Sequence, residues 1–230
     1  MCSDTISYKV PVVTVDGPSG SGKGTVSQRL AAELGWHFLD SGALYRLLAC
    51  AARRDGIALD DEPALVALAG RINAEFGFSE NGDERVLLDG VDVTRTLRSE
   101  ETGNAASQVA ALPAVRTALL AWQRRYRRPP GLIADGRDMG TVVFPDAAVK
   151  IFLEARPEER ALRRYNQLKD NGIDASLEEV IEEVRARDER DRTRTAAPLV
   201  AAEDACIVDS SDLDVAATVA IILGQIRAKI

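Results

Sequence analysis

The run GPSGSGKGT at residues 17–25 follows the apolar stretch VPVVTV and has the composition of a phosphate-binding loop. Gly17, Gly22 and Lys23 fit the pattern G-x-x-x-x-G-K-[ST], but Gly24 takes the hydroxyl position and the hydroxyl arrives at Thr25. After a strand, Gly17 permits a tight turn, and the small residues that follow let backbone N–H groups wrap an anion. A helix opening near Lys23 adds the positive end of its dipole, and the lysine reaches toward terminal phosphates of a nucleoside triphosphate. A Gly/Ser-rich turn with an incidental lysine is the competing reading, and the strand before, the helix after and the spacing all weigh against it. The sequence argues against a GTPase-like switch. No D-x-x-G or N-K-x-D follows the loop, and NQLKD at 166–170 has the wrong spacing.

Three further segments carry charge where chemistry could use it. FLDSGALYR (38–46) ends a strand and opens a helix that Asp40 or Ser41 can cap, with Tyr45 and Arg46 one turn inside. LIADGRDMG (132–140) puts Asp135 at the carboxyl end of a strand beside the loop, where an acid serving Mg²⁺ or its hydration shell belongs. A plain turn at Asp135-Gly136 competes with that reading. RARDERDRTR (185–194) places Arg187, Asp191 and Arg194 at i, i+4 and i+7 on one helix face, with Asp188 and Arg192 as an i,i+4 pair beside it. Alone, that segment reads best as a solvated ion-pair lattice. Arginines from three sources (46, 137 and 187/194) in one α/β chain shift the balance toward convergence on phosphates.

These residues need a scaffold, and the chain supplies a recognisable one. VPVVTV, WHFLD, GLIADG, AVKIFLEA and ACIVDSS read as buried parallel strands, and helical patterns cover 23–34, 43–54, 112–128, 157–170 and 176–190. That alternation predicts a doubly wound α/β sheet. Residues 74–97 break the rhythm with two extended runs around ENGD, an Asn81-Gly82 hairpin signal, and a further turn at Asp89-Gly90. They predict a small antiparallel insert between helices. No internal repeat or low-complexity segment is present.

Composition sets outer limits. The 230 residues allow one sizeable core with an inserted subdomain, and a net charge of −7 argues against a general nucleic-acid binder. The arginines of WQRRYRRPPG are read as a helix end stopped by Pro129-Pro130, without function. Cys2, Cys50 and Cys206 form no C-x-x-C, which predicts free thiols rather than a disulfide framework or zinc site. MCSDTISYKV lacks the order of a signal peptide and VAATVAIIL is too short to span a bilayer, so a cytoplasmic chain without membrane partners is expected. No exposed apolar stripe stands out, and a monomer is expected. His37, in an apolar strand beside Trp36, is expected to be structural.

Taken in order, GPSGSGKGT, LDSGALYR, NAASQVAALPAVR, IADGRDMGTVVFPDA and RDERDRTRTAAPL resemble the bacterial type of the cytidylate kinase family, from about residue 10 to 209. The G-K-G-T form of the loop resembles nucleoside monophosphate kinases in general, while the later motifs are specific to the cytidylate branch. The resemblance implies a P-loop kinase core of five parallel strands flanked by helices (1–70 and 106–230), with a helical lid at about 157–175 and an acceptor-binding insert at 71–105. It implies Mg²⁺-dependent transfer of a phosphoryl group from ATP to CMP or dCMP. It makes Gly17, Pro18, Ser19, Gly20, Ser21, Gly22, Lys23, Gly24 and Thr25 the ATP phosphate site, with Arg163 from a lid helix that also carries Arg160 and Arg164. It makes Arg46, Arg137, Arg187 and Arg194 clamps on the acceptor or transferring phosphate, the last three catalytic together with Lys23. Ser41 and Tyr45 join the acceptor site, Asp191 holds the ribose, and Ser107, Arg116 and Asp138 read the cytosine. Thr25 and Asp135 serve the metal, directly or through water. Two rivals stay open on sequence: a related P-loop kinase with another acceptor, and a nucleotide-binding regulatory module without turnover.

Overall fold

A computed structural model describes residues 10–78, 84–170, 172 and 174–230; the Asn81-Gly82 turn and Cys2 fall outside them. The five expected strands form one parallel sheet in the order β2-β6-β1-β7-β8, comprising β1 (Val12–Asp16), β2 (His37–Asp40), β6 (Leu132–Gly136), β7 (Val149–Glu154) and β8 (Cys206–Asp209). Alternation along each strand divides the core between the two faces of the sheet. Val12, Leu132 and Ala134 pack with α2 (Ser41–Arg54), α5 (Glu100–Val109) and α6 (Pro113–Arg124), and α3 (Glu62–Ala69) adds Leu65 and Leu68. Val13, Val15, Ile133, Ile151 and Leu153 pack with α1 (Lys23–Leu34) and α9 (Val215–Lys229). Leu44, Leu47 and Leu48 of α2 are fully buried, each stabilising the fold by about 1.5–3 kcal/mol.

The insert is a three-stranded antiparallel sheet of β3 (Ala74–Phe78), β4 (Glu84–Leu88) and β5 (Val91–Asp92), followed by α4 (Thr94–Leu97). The third strand arises because Asp89 and Gly90 both take left-handed backbone, φ 51° and 81°, and turn the chain back on β4. Val86, Leu88 and Val93 anchor this sheet to the α2 side of the main core. α7 (Pro157–Asp170) and α8 (Leu177–Thr193) close over a small cluster of their own, Ala161, Leu168, Val180 and Val184.

Two helix expectations shift. The arginine run at 124–128 is not one continuous helix: α6 stops at Arg124, and Arg124 and Arg127 reach across to the carbonyls of Val143 and Val10, at 3.0 and 2.9 Å. These side chains fasten chain segments together rather than only complementing a helix end. α8 runs three residues past the expected 190, to Thr193, started by a Ser176–Glu179 capping box. His37 is structural as expected, its Nε2 lying 3.0 Å from the Pro129 carbonyl, and Cys50 and Cys206 are free thiols. No helix among the described residues is long and apolar enough to cross a membrane.

Candidate active site

Strand register fixes the floor of the site. Val15 of β1 and Asp40 of β2 both align with Asp135 of β6, and Asp16 aligns with Gly136, so three strands release their loops at one edge of the sheet. That edge, where the order reverses about β1, is the crevice in which open α/β sheets bind ligands. A cleft of about 1010 Å³ opens there.

On one wall lies the glycine loop. Gly17 presses against the sheet so closely that a Cβ would fall 2.0 Å from the Leu153 carbonyl oxygen. Gly22, at φ 87°, is the N-cap of α1. Helices α2, α3, α5, α8 and α9 each begin with an Asp or Ser side chain bonded to a first-turn N–H, whereas α1 has no side-chain cap. The uncapped first turn therefore offers N–H groups and its dipole to an anion in the cleft. Lys23 is buried and donates to the Pro18 carbonyl at 3.1 Å. Burial and the neighbouring Arg137 push its pKa down to about 7, against the attraction of Asp135. Asp135 is pushed up to about 7, chiefly by burial and partly against Lys23. Two groups of opposite sign are thus held where each would gain from a charged ligand.

The facing wall carries the arginines. Arg137 Nε donates to Asp191 Oδ2 at 3.0 Å, and Arg194 Nη1 lies 3.9 Å from Asp191 Oδ1. These contacts and the pull of Arg187 hold the Asp191 carboxyl below its usual range despite burial, which acts the other way. Arg187 is lowered to about 10 by burial and then by Arg137. Shielded Arg187 Nε, Arg194 Nη2 and Ser107 Oγ have no hydrogen-bond partner among the described residues. Buried donors left open in this way mark a surface built for something else to complete. Arg46 at the insert side donates to Leu97 O at 3.4 Å.

Deeper in the same wall, Arg116 is ion-paired with the buried Asp138 and donates to Ala110 O at 2.9 Å. Its guanidinium stands 5.6 Å above the Tyr45 ring centre, a cation–π distance. A planar donor, a carboxylate acceptor and an aromatic face together fit a polar heterocycle. Ser41 is buried at the start of α2, where Asp40 rather than Ser41 provides the cap, at 3.0 Å to the Ala43 N–H.

The cleft lining therefore unites all the residues expected from sequence except Gly17 and Pro18, which stand behind the loop and shape it. Among the α7 arginines the structure separates three fates. Arg163 Nη1 lies 3.4 Å from Ser21 O and its Nη2 2.6 Å from Ser210 O, at the glycine loop. Arg164 pairs with Glu100 across the rim. Arg160 is 1% exposed, donates to Ser19 O at 2.9 Å, and forms a fork with both Asp188 oxygens at 3.0 and 2.5 Å. That fork corrects the expected Asp188–Arg192 pair: Asp188 faces inward and Arg192 is exposed. The sequence reading also passed over Asp16, whose buried carboxylate bonds the N–H groups of Met139 and Gly140. Its only signal was a carboxylate immediately before a phosphate loop.

Residues 13–228 match the sequence profile of the family described as Cytidylate kinase. Cytidylate kinase of Aeromonas salmonicida is 58% identical over 213 residues, covering 93% of this chain and 92% of that protein. Cytidylate kinase of Stutzerimonas stutzeri is 58% identical over 94% of this chain and 95% of its own length. The Methylococcus capsulatus enzyme of that name is 55% identical over 95% of this chain and 98% of its own. With the phosphate loop, the arginine wall and the Arg116–Asp138 pair in one cleft, these similarities place the chain in the cytidylate kinase family.

Proposed function

We propose that this chain transfers the γ-phosphate of ATP to CMP and dCMP, releasing ADP and CDP or dCDP. The observation that carries the reading is the pairing, across one cleft, of an uncapped helix N-terminus with Arg187 Nε and Arg194 Nη2, buried donors that have no partner among the described residues. Residues 17–25 hold the ATP phosphates, with an anionic oxygen replacing the Pro18 carbonyl at Lys23, and Arg163 reaches them from the lid at about 157–175. The insert at 71–105 closes on the acceptor.

Ser41, Tyr45, Arg46, Ser107, Arg116, Arg137, Asp138, Arg187, Asp191 and Arg194 form the acceptor site. Cytosine offers N3 as acceptor and its 4-amino group as donor, and uracil reverses both. Arg116 therefore donates to cytosine while Asp138 accepts from it, and uracil leaves both groups mispaired. Asp191 holds the ribose.

The acceptor phosphate has a second pKa near 6, so it attacks as an anion and needs no general base. Catalysis then consists of alignment and neutralisation of charge spreading over the transferred group by Lys23, Arg137, Arg187 and Arg194. Closure of the lid excludes water, the competing acceptor.

The residues fit a magnesium ion arriving with the nucleotide. Such an ion needs only one or two protein ligands, and among the described residues no cluster of three metal-binding side chains exists. Asp135 is buried beside the loop, and a Cβ on Gly24 would lie 3.4 Å from its Oδ2, so glycine keeps that approach open. Thr25 and Asp135 would hold the ion, directly or through water, and it would supply further neutralisation of the phosphates.

One assay tests the reading. With ATP as donor, CMP and dCMP are expected to outrun UMP, AMP and GMP, and Lys23→Ala is expected to abolish transfer while keeping the unfolding transition. A preferred acceptor other than a cytidine nucleotide, or ATP bound with no ADP formed on adding CMP, overturns it. Asp138→Ala is expected to lose the preference for CMP over UMP in kcat/KM.

A further inference from the structure

The structure assigns Asp16 a positioning role in acceptor selection: from the end of β1 it caps the turn that follows Asp138, which leaves the Asp138 carboxylate free for Arg116 and the base. This rests on the acceptor reading above and adds a residue outside the cleft lining.

Asp138 opens a five-residue turn of π-helical form, Met139–Val143, and its carbonyl accepts from Val142 N at 2.9 Å and Val143 N at 3.2 Å. An aspartate in that place ordinarily folds its own carboxylate onto an N–H two or three residues on, as Asp40, Asp61 and Asp214 do at three residues elsewhere in this chain. Asp138 makes no such cap. Its carboxylate goes to Arg116 instead. Asp16 takes two N–H groups of this turn, that of Gly140, which a cap at Asp138 could use, and that of Met139 before it: Met139 N donates to Oδ1 and Gly140 N to Oδ2, each at 2.8 Å.

The surroundings keep this arrangement fixed. Asp16 is 5% exposed, and the Asp16–Gly136 register sets its side chain beside the start of the turn. The turn is pressed onto the sheet, since a Cβ on Gly140 would fall 2.8 Å from Thr14 Oγ1 and 3.1 Å from Lys150 Cδ. Without the Asp16 carboxylate, two buried N–H groups lose their acceptor, and the nearest carboxylate in sequence is Asp138. Drawn onto its own turn, Asp138 leaves Arg116 without its partner in the base pocket.

The test is a double-mutant cycle read as the CMP-to-UMP ratio of kcat/KM in the full chain, using Asp16→Asn, Asp138→Ala and both together. Asp138→Ala is expected to lower the ratio about a hundredfold. Asp16→Asn, which spoils one of two buried bonds, is expected to lower it about tenfold, with KM for CMP rising more than KM for ATP. The double variant is expected to be no worse than Asp138→Ala alone. A lowered Tm with wild-type selectivity in Asp16→Asn, or additive losses in the double variant, overturns the role of Asp16. Unchanged selectivity in Asp138→Ala overturns the acceptor reading instead. Asp16→Ser, whose hydroxyl accepts one of the two N–H groups, is read in the same way should Asp16→Asn not fold. If neither folds, Asp16 is a folding residue and the proposal falls.

Discussion

Two arginine environments stand on the two sides of the glycine loop, and they differ in what is left over. Arg160 has its donors absorbed by Ala155 O, Ser19 O and both oxygens of Asp188. At the wall facing the loop, Arg187 and Arg194 keep shielded nitrogens without partners among the described residues, and like charges crowd them. Burial alone does not separate a structural guanidinium from a working one. Satisfaction does: the first corner is complete without a ligand, and the second is assembled at a cost that a phosphate would repay.

The contrast breaks if the two arginines respond alike. Arg160→Ala leaves Asp188 as an uncompensated buried charge and is expected to cost about 3–5 kcal/mol in denaturant unfolding. Arg160→Lys is expected to recover little, because a point charge cannot reproduce the fork. Arg187→Ala is expected to do the reverse. Steady-state turnover should fall about 10²–10³-fold, while unfolding free energy holds or rises, since its charge is opposed by burial and by Arg137. A large stability loss in Arg187→Ala with intact turnover would erase the distinction.

A smaller effect sharpens the same idea at the glycine-loop wall. Asp135 titrates near 7 in the folded chain against 3.8 as an ordinary aspartate. Between those values the folded state binds more protons than the unfolded one, so this group's contribution to stability falls as pH rises from about 4 to 7 and is level above. Asp135→Asn lacks that loss. Without nucleotide, its stability relative to wild type is expected to climb across that window in pH-dependent unfolding measurements. A flat difference would mean that Asp135 is already paid for by neighbouring groups.

Much of this was legible in the residue order. The strand LIADG, with Asp135 at its carboxyl end beside the loop, located the crevice, because a parallel sheet brings all carboxyl ends to one edge. The glycine–lysine spacing located the loop, whereas the i, i+4, i+7 series 187/191/194 read alone as a solvated lattice, and only its company with Arg46 and Arg137 and the family resemblance pointed it at the cleft, which it lines. What stayed hidden depends on contacts between segments far apart in sequence. Arg160, Arg163 and Arg164 look equivalent on paper, and only the rotation of α7 against the loop decides which is buried. Asp188 has an obvious partner four residues on, and the fold offers it a better one 28 residues back. Nothing in VVTVD tells that its last residue caps a turn formed 123 residues later.

The private apolar cluster beneath α7 and α8 bears on how the native state breathes. Ala161, Leu168, Val180 and Val184 pack among themselves, so the helix pair can detach as a cooperative unit while the two faces of the main sheet stay closed. Amide protons of this pair are therefore expected to exchange with solvent through partial opening, at a free energy below that of global unfolding, and the bonds from Arg160 to Ser19 O and from Arg163 to Ser210 O, which tie the pair to the core, set how far below.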